Sequence, residues 1–350
     1  MRLFTCPSCR RRVYFENSIC LNCQAQIGYD CDSGEMQASP APPGLRPCAG
    51  GAPHCNWLVD TAEPESRCRS CRLTELAPDL GDALLTDLWS RLEQAKRRLL
   101  YTLASSGLSW DGLRFAFPAV GMTGHDEGLI TIALGEADDV EREQRRIALG
   151  EPYRTMIGHL RHESGHFYWD RLVRGSTWLD EVRTVFGDDR ADYQASLAKH
   201  YKDGPPATWP QTHVTAYATA HPWEDWAETW AHYLHMVDAI ELSKAYGMRL
   251  DQFAPPNFNN QLSSAADTFT ALLSDWLPLT TFANSLNRSI GLHDWYPFIL
   301  ADSSLAKLRL VHRVIHAGAA IGACGDQVEH VTNAGLSRIQ PRQSRGRMPV

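Results

Sequence analysis

The sequence lacks a long hydrophobic run, an apolar leader and an excess of basic residues. A membrane-spanning helix needs about 20 consecutive apolar residues, and no stretch of the 350 residues has that character. The first nine residues, MRLFTCPSC, reach cysteine without the apolar segment of a secretory signal, so we expect a cytoplasmic protein. The formal net charge of -7 favours neither nucleic acid nor a membrane as partner. Residues 323–350 are locally basic, and we expect a disordered tail there.

Cysteine is plentiful, with ten residues, and in a reducing compartment closely spaced cysteines more often bind metal than form disulfides. The first set has two CxxC pairs separated by ten residues: Cys6, Cys9, Cys20 and Cys23. Each CxxC turn directs two thiolates at one point, so the set predicts a tetrahedral zinc site in a zinc ribbon over residues 1–36.

A second set is less regular: Cys48, Cys55, Cys68 and Cys71. Its first half is spread over CAGGAPHC, so His54 could replace Cys55 as a ligand. We predict a second structural zinc site in residues 37–78, since closed four-cysteine sites supply folding free energy to segments too small for a core. Cys31 and Cys324 remain as ordinary free thiols.

From Asp82 the pattern becomes helical. Leucines recur at helical spacing up to Gly107, and residues 113–117 and 129–134 are typical of strands. After a charged helix, the chain is expected to form a buried helix from Pro152 to about Val173, with Pro152 in its first turn.

That helix contains HESGH, with His162, Glu163 and His166. Residues four apart lie on one face, so both imidazoles can bind one cation while Glu163 reaches a water beside it. The alternative is a pair of solvated helix histidines. Against it, the helix is otherwise apolar, and Gly165 leaves room for a close approach. We also expect the strand at 129–134 to form the sheet edge that holds a substrate.

A catalytic zinc site needs a third protein ligand. Trp169 and Leu172 stand where metzincins have glycine and histidine, so the ligand must come from a later element. In residues 215–236, Glu224, Glu228 and His232 share one face of an apolar helix. We choose Glu224 as ligand and Glu228 as the residue that orients a ligand histidine. The competing ligands are His221, Asp225, His232 and His235.

Tyr217 precedes Glu224 by seven residues, and spacing alone favours core packing for it. HESGH followed by YxxxxxxExxxE resembles the lethal-factor-like gluzincin metallopeptidases. This resemblance implies that Glu224 is the third zinc ligand and that Tyr217 assists the transition state. The chain is more closely similar to a bacterial family of zinc-binding metallopeptidases with an N-terminal zinc ribbon. Over about residues 1–320 the similarity covers both cysteine sets, GEPYRT, RHESGHFYWDRLV, ADYQASLAKHYKDGPP, TAYATAHPWEDWAETWAHYLH and DWYPF.

The sequence therefore predicts an α+β protein, with zinc-ribbon modules before a mainly helical zincin-like domain with a small β-sheet at 79–322. The expected activity is hydrolysis of peptide bonds, with one catalytic and two structural zinc ions and Glu163 as general base. The alternative is a non-catalytic protein that docks a partner through its ribbons and has a structural HExxH site. Nucleic-acid binding by the ribbons is disfavoured by the acidic chain. We expect only helices at 264–320, with His312 and His316 on an amphipathic surface.

Overall fold

The computed structural model describes residues 2–39, 42–50, 55–248 and 267–322. Its N-terminal part consists of three small antiparallel strand pairs followed by a short helix. The pairs are β1 (Phe4–Thr5) with β2 (Arg12–Val13), β3 (Gln26–Asp30) with β4 (Glu35–Ser39), and β5 (Leu45–Pro47) with β6 (Leu58–Asp60). The short helix is α1 (Arg69–Arg72), whose N-cap is Cys68. Segments this short have little core of their own, as expected of metal-stabilised modules.

A four-stranded sheet connects this region to the rest of the chain. Its strands are β7 (Thr74–Leu76), β8 (Arg114–Ala116), β9 (Gly124–Asp126) and β10 (Leu129–Thr131), in the spatial order β7-β8-β10-β9. Strands β7 and β10 both run parallel to β8, and β9 is antiparallel to β10. The predicted strands are present, but the expected edge at 129–134 is wrong. The tight turn at Gly128 adds β9 outside β10, so β9 forms the edge.

The remaining chain is mainly helical, which confirms the predicted fold class. The helices are α2 (Ala83–Ser105), α3 (Asp139–Ala148), α4 (Met156–Tyr168), α5 (Leu179–Phe186), α6 (Tyr193–Asp203), α7 (Pro222–Ala245), α8 (Thr268–Ser289) and α9 (Asp302–Gly322). None of the helices in the described ranges is both long and apolar enough to cross a bilayer.

Two local expectations are wrong. Helix α4 begins at Met156 rather than near Pro152, because Thr155 caps it by accepting the N–H of Gly158. His312 is buried rather than on a surface, since its ring nitrogens bond the hydroxyls of Tyr233 and Thr268 at 2.8 Å each. Buried histidines that are fully hydrogen-bonded in this way need no metal.

The N-terminal modules pack against helix α2. Five aromatic rings form one cluster with centroids 4.8 to 6.4 Å apart: Phe4, Phe15, Tyr29, Trp57 and Tyr101 of α2. One turn before Tyr101, the fully buried Lys96 pairs with Glu93 at 2.8 Å and donates to the carbonyl of Ser70 in α1 at 2.9 Å. Both modules therefore share a core with the helical domain.

Helices α4 and α7 approach each other unusually closely at Gly165. The indole of Trp226 donates to the Gly165 carbonyl at 2.9 Å. A Cβ atom on Gly165 would lie 2.8 Å from the Cα of Ala227 and 3.2 Å from the Cβ of Trp230. Because real Cβ atoms do not come that close to backbone, only glycine permits this separation. The two helices carry the candidate metal ligands, so their separation determines the geometry of the site.

We predict that Gly165→Ala lowers the free energy of unfolding by about 1–3 kcal/mol, the usual effect of overpacking. The sign is informative, because alanine normally stabilises a helix relative to glycine. Chemical denaturation at fixed zinc concentration measures the change. The matched control is Gly124→Ala, where no atom lies within 4 Å of the new Cβ and no loss is expected. A Gly165→Ala protein as stable as the natural chain would contradict the close-packing argument.

Candidate metal centre

Three side chains from two helices converge at one point. His162 and His166 lie on α4, and Glu224 lies in the first turn of α7. Oε2 of Glu224 is 3.0 Å from Nε2 of His162 and 3.5 Å from Nε2 of His166. One ligand atom from each residue lies within 4.8 Å of the other two, and Glu224 is almost fully buried. The structure thus brings together the three residues that the sequence predicts.

The orientation of His162 brings its Nε2 atom to within 3.0 Å of Oε2 of Glu224. Nδ1 of His162 donates to Oε1 of Glu228 at 2.6 Å, so a neutral ring has its lone pair on Nε2. That lone pair faces Oε2 of Glu224, which is buried without a hydrogen-bond partner among the described residues. Two acceptor atoms this close repel each other unless positive charge lies between them. Two imidazoles and one carboxylate are a donor set that zinc accepts, so the residues fit a zinc ion.

The pKa directions agree with this interpretation. Burial lowers the pKa of His162, but Glu224 and Glu228 outweigh burial and hold it well above its usual value. Burial alone would raise the pKa of Glu224, yet His166 and His162 hold it well below its usual value. The carboxylates therefore favour positive charge at this point, which either a proton or a metal ion can supply.

Each ligand has a second contact that orients it. Oε2 of Glu228 accepts from the hydroxyl of Thr215 at 2.7 Å, which fixes the carboxylate that holds His162. The ring of His166 packs on Trp223 with a centroid distance of 3.7 Å and an interplanar angle of 34°, while its Nδ1 has no hydrogen-bond partner among the described residues. Oε1 of Glu224 accepts from the hydroxyl of Tyr193 at 2.6 Å. Contacts of this kind set the ring and carboxylate orientations in metal sites.

Glu163 and Tyr217 lie beside the three ligands. Glu163 is 7% exposed, and burial raises its pKa, with the nearby Glu224 acting in the same direction. The ring of Tyr217 is 5.9 Å from that of His162. Burial and then Glu224 raise the pKa of Tyr217 well above its usual value, so its hydroxyl remains protonated. The structure therefore places a carboxylate and a phenol at the centre.

Both cysteine sets also converge. In the first, Cys6 and Cys23 have sulfur atoms 3.7 Å apart, as do Cys9 and Cys20. In the second, Cys55 lies 3.7 Å from Cys68 and 3.6 Å from Cys71, with Cys48 close by. A Cβ on Gly50 would be 2.8 Å from the sulfur of Cys71 and 3.0 Å from that of Cys48, so glycine leaves room for the thiols to meet. Four converging thiols fit a structural zinc. His54, Cys324 and residues 323–350 lie outside the described residues.

With this geometry established, comparison with known proteins assigns the family. A family model described as "Putative zinc-binding metallo-peptidase" matches residues 85–314, about two thirds of the chain. The chain belongs to this family. A model of a zinc-ribbon domain matches residues 3–82. The resemblance to ribbon-bearing zinc metallopeptidases is therefore confirmed.

Relatives with the same organisation occur in mycobacteria. One protein of Mycobacterium bovis and two of Mycobacterium tuberculosis are each 39% identical to this chain over 332 residues, covering 90% of it and 95% of the relative. Each is named as an uncharacterized protein. No solved structure matches the chain.

In this metallopeptidase family member, the competing ligands have other partners. His221 caps α7, accepting the N–H of Trp223 at 3.1 Å. Asp225 pairs with Lys307 at 2.6 Å, and burial raises the pKa of Asp225 to about 7. His232 is bonded to the hydroxyl of Tyr296, and His235 is bonded to the guanidinium group of Arg161.

Sequence reasoning missed Tyr193 and Thr215. Tyr193 lies in ADYQASLAKHYKDGPP, a segment that carries the family resemblance, but it precedes Glu224 by 31 residues. Thr215 lies two residues before Tyr217, in a segment considered only for its tyrosine. Contacts between segments joined by loops produce no helical or strand periodicity in the sequence. Only the family resemblance could therefore have pointed to these positions.

Proposed function

We propose that this protein is a zinc-dependent peptidase of the gluzincin type, with His162, His166 and Glu224 as ligands of the catalytic zinc. The observation that carries the proposal is the convergence of His162, His166 and Glu224 on one point, with Glu163 next to His162 on α4. A merely structural site would not need a buried carboxylate that is left outside the ligand set. Such a carboxylate is what hydrolysis requires.

When bound, zinc supplies Lewis acidity, which polarises a carbonyl group and lowers the pKa of water. Glu163 then accepts the proton of the attacking water and delivers it to the leaving amine. Burial suits this role, because it raises the pKa of the Glu163 carboxyl and makes proton return easier. Tyr217, held in its protonated form, donates a hydrogen bond to the developing oxyanion.

The sheet edge beside the site favours a peptide as the substrate. Strand β9 ends the sheet in the spatial order β7-β8-β10-β9. Its His125 has a ring centroid 6.2 Å from that of His166, so this edge lies beside the proposed zinc ligands. The outer backbone groups of an edge strand can pair with an extended peptide. A peptide added there would lie beside the proposed zinc ligands.

Glu163→Gln tests the reaction. We expect it to lower kcat by about 10²–10⁴-fold, the usual contribution of a general base, with zinc content and fold retained. Chelator-sensitive cleavage of a quenched peptide library measures the activity, and elemental analysis measures the zinc. The matched control is Glu143→Gln, the same change at a residue on α3 that pairs with Arg146. Full turnover by a zinc-loaded Glu163→Gln protein would refute the role.

Tyr217→Phe tests the oxyanion donor. The loss of one donor typically costs about 2.7–4 kcal/mol of barrier, or about 10²–10³ in kcat, and the zinc content should not change. Steady-state kinetics on the best library substrate separate kcat from KM. Tyr233→Phe is the control, because it removes a buried hydroxyl bonded to His312 rather than to the zinc site. An unchanged kcat would show that Tyr217 packs in the core and does not act as an oxyanion donor.

The zinc content tests the three sites together. We expect about three zinc ions per chain, one for each converging set. Cys9→Ser with Cys23→Ser, Cys68→Ser with Cys71→Ser, and His162→Ala with His166→Ala should each remove one. Inductively coupled plasma emission spectroscopy of protein purified without added chelator measures the number of zinc ions per chain. A natural chain with two zinc ions or fewer would show that one set does not bind zinc.

A further inference from the structure

Tyr193 has no role in the reaction described above, yet it makes the shortest direct contact to the proposed carboxylate ligand. It is the first residue of α6, immediately after the cap Asp192. Its hydroxyl donates to Oε1 of Glu224 at 2.6 Å. Its ring packs edge-on against His221 and Trp223, with centroids 5.3 and 5.6 Å away. The phenol is therefore held at the N-terminus of α7, where Glu224 lies.

We propose that Tyr193 is a positioning residue for the metal ligand Glu224, an inference that rests on the proposed zinc site. By occupying Oε1, the hydroxyl leaves Oε2 as the oxygen that faces both imidazoles. Oε2 has no hydrogen-bond partner among the described residues, whereas Oε1 has a strong one. The carboxylate would then bind the metal ion through Oε2, while Oε1 accepts from a neutral donor.

This assignment completes the set of orienting contacts. Glu228 holds the ring of His162 at 2.6 Å, and Trp223 packs on His166 at 3.7 Å. Tyr193 does the same for Glu224. A neutral phenol suits the position, because a lysine or arginine there would compete with the metal ion for the carboxylate charge.

A different role for Tyr193 would be to attach α6, a helix without fully buried residues, to the rest of the protein. The two roles give different results. An attachment role would affect the stability of α6 whatever residue stands at 224. A positioning role affects zinc affinity, and it acts only through the carboxylate of Glu224.

The test is the zinc affinity of the catalytic site in Tyr193→Phe, measured by competition with a chromophoric chelator. The ribbon sites are kept filled, and the catalytic zinc is identified by its loss in His162→Ala/His166→Ala. We expect Kd for zinc to rise about 10–100-fold, the usual effect of removing an orienting contact. Tyr233→Phe is the matched control, and its Kd should stay within about two-fold of the natural chain.

A double-mutant cycle makes the test specific. In a Glu224→Gln background, Tyr193→Phe should have little further effect on Kd, because the group it orients is gone. The inference is overturned if Tyr193→Phe leaves Kd within about two-fold in the natural background. It is also overturned if Tyr193→Phe raises Kd by the same factor in the Glu224→Gln background. Because the readout is zinc binding, failure of this inference is distinguishable from failure of the proposed activity, which would appear as zinc-loaded protein that cleaves no peptide.

Discussion

The contact between α4 and α7 at Gly165 is the constraint on which the metal centre depends. Neither helix alone can bind zinc, because α4 offers two imidazoles and α7 one carboxylate. With no side chain at Gly165, the backbone of α4 reaches the Cα of Ala227, and Glu224 then lies one turn away from that contact, opposite His162 and His166. If a methyl group at position 165 pushed α4 and α7 apart, the carboxylate of Glu224 would move away from the imidazole rings of His162 and His166. The chemistry therefore depends on a packing feature that touches no ligand directly.

Three glutamates at this centre differ in role because their surroundings differ. Glu224 faces both imidazoles, and its pKa is held well below the usual value. Glu228 bonds His162 and Thr215, so its pKa is also lowered despite burial. For Glu163, burial outweighs the attraction of His162 and His166, so its pKa is raised. The two carboxylates that remain ionised suit a ligand and its support, whereas the one that most easily takes up a proton suits proton transfer.

The cysteine-rich modules are part of the same folded unit as the helical domain. Their aromatic residues share a cluster with Tyr101, and the carbonyl of Ser70 in α1 is a partner of the buried Lys96. Strand β7, directly after the second cysteine set, pairs with β8. A zinc ion bound by the second cysteine set would hold α1 in place. Its loss would leave the fully buried Lys96 with fewer partners, and an incompletely compensated buried charge is costly. Zinc binding there would thus contribute to the stability of the domain that carries HESGH.

The sequence predicts features that depend on neighbouring residues, and it misses contacts between segments that are far apart in the chain. Helical spacing is local, so it predicts that His162 and His166 share a face, and the cost of burying carboxylates in an apolar helix points to Glu224. The edge strand was missed because β9 is added by a tight turn whose pairing has no period of its own. His312 was placed on a surface because its basic neighbours in α9 are visible in sequence, whereas its partner Tyr233 in α7 is not. Tyr193 shows the same limit most clearly, since its hydroxyl reaches Glu224 from a helix that lies 31 residues earlier in the chain. The orienting contacts of a metal site are therefore the part that the sequence specifies least directly.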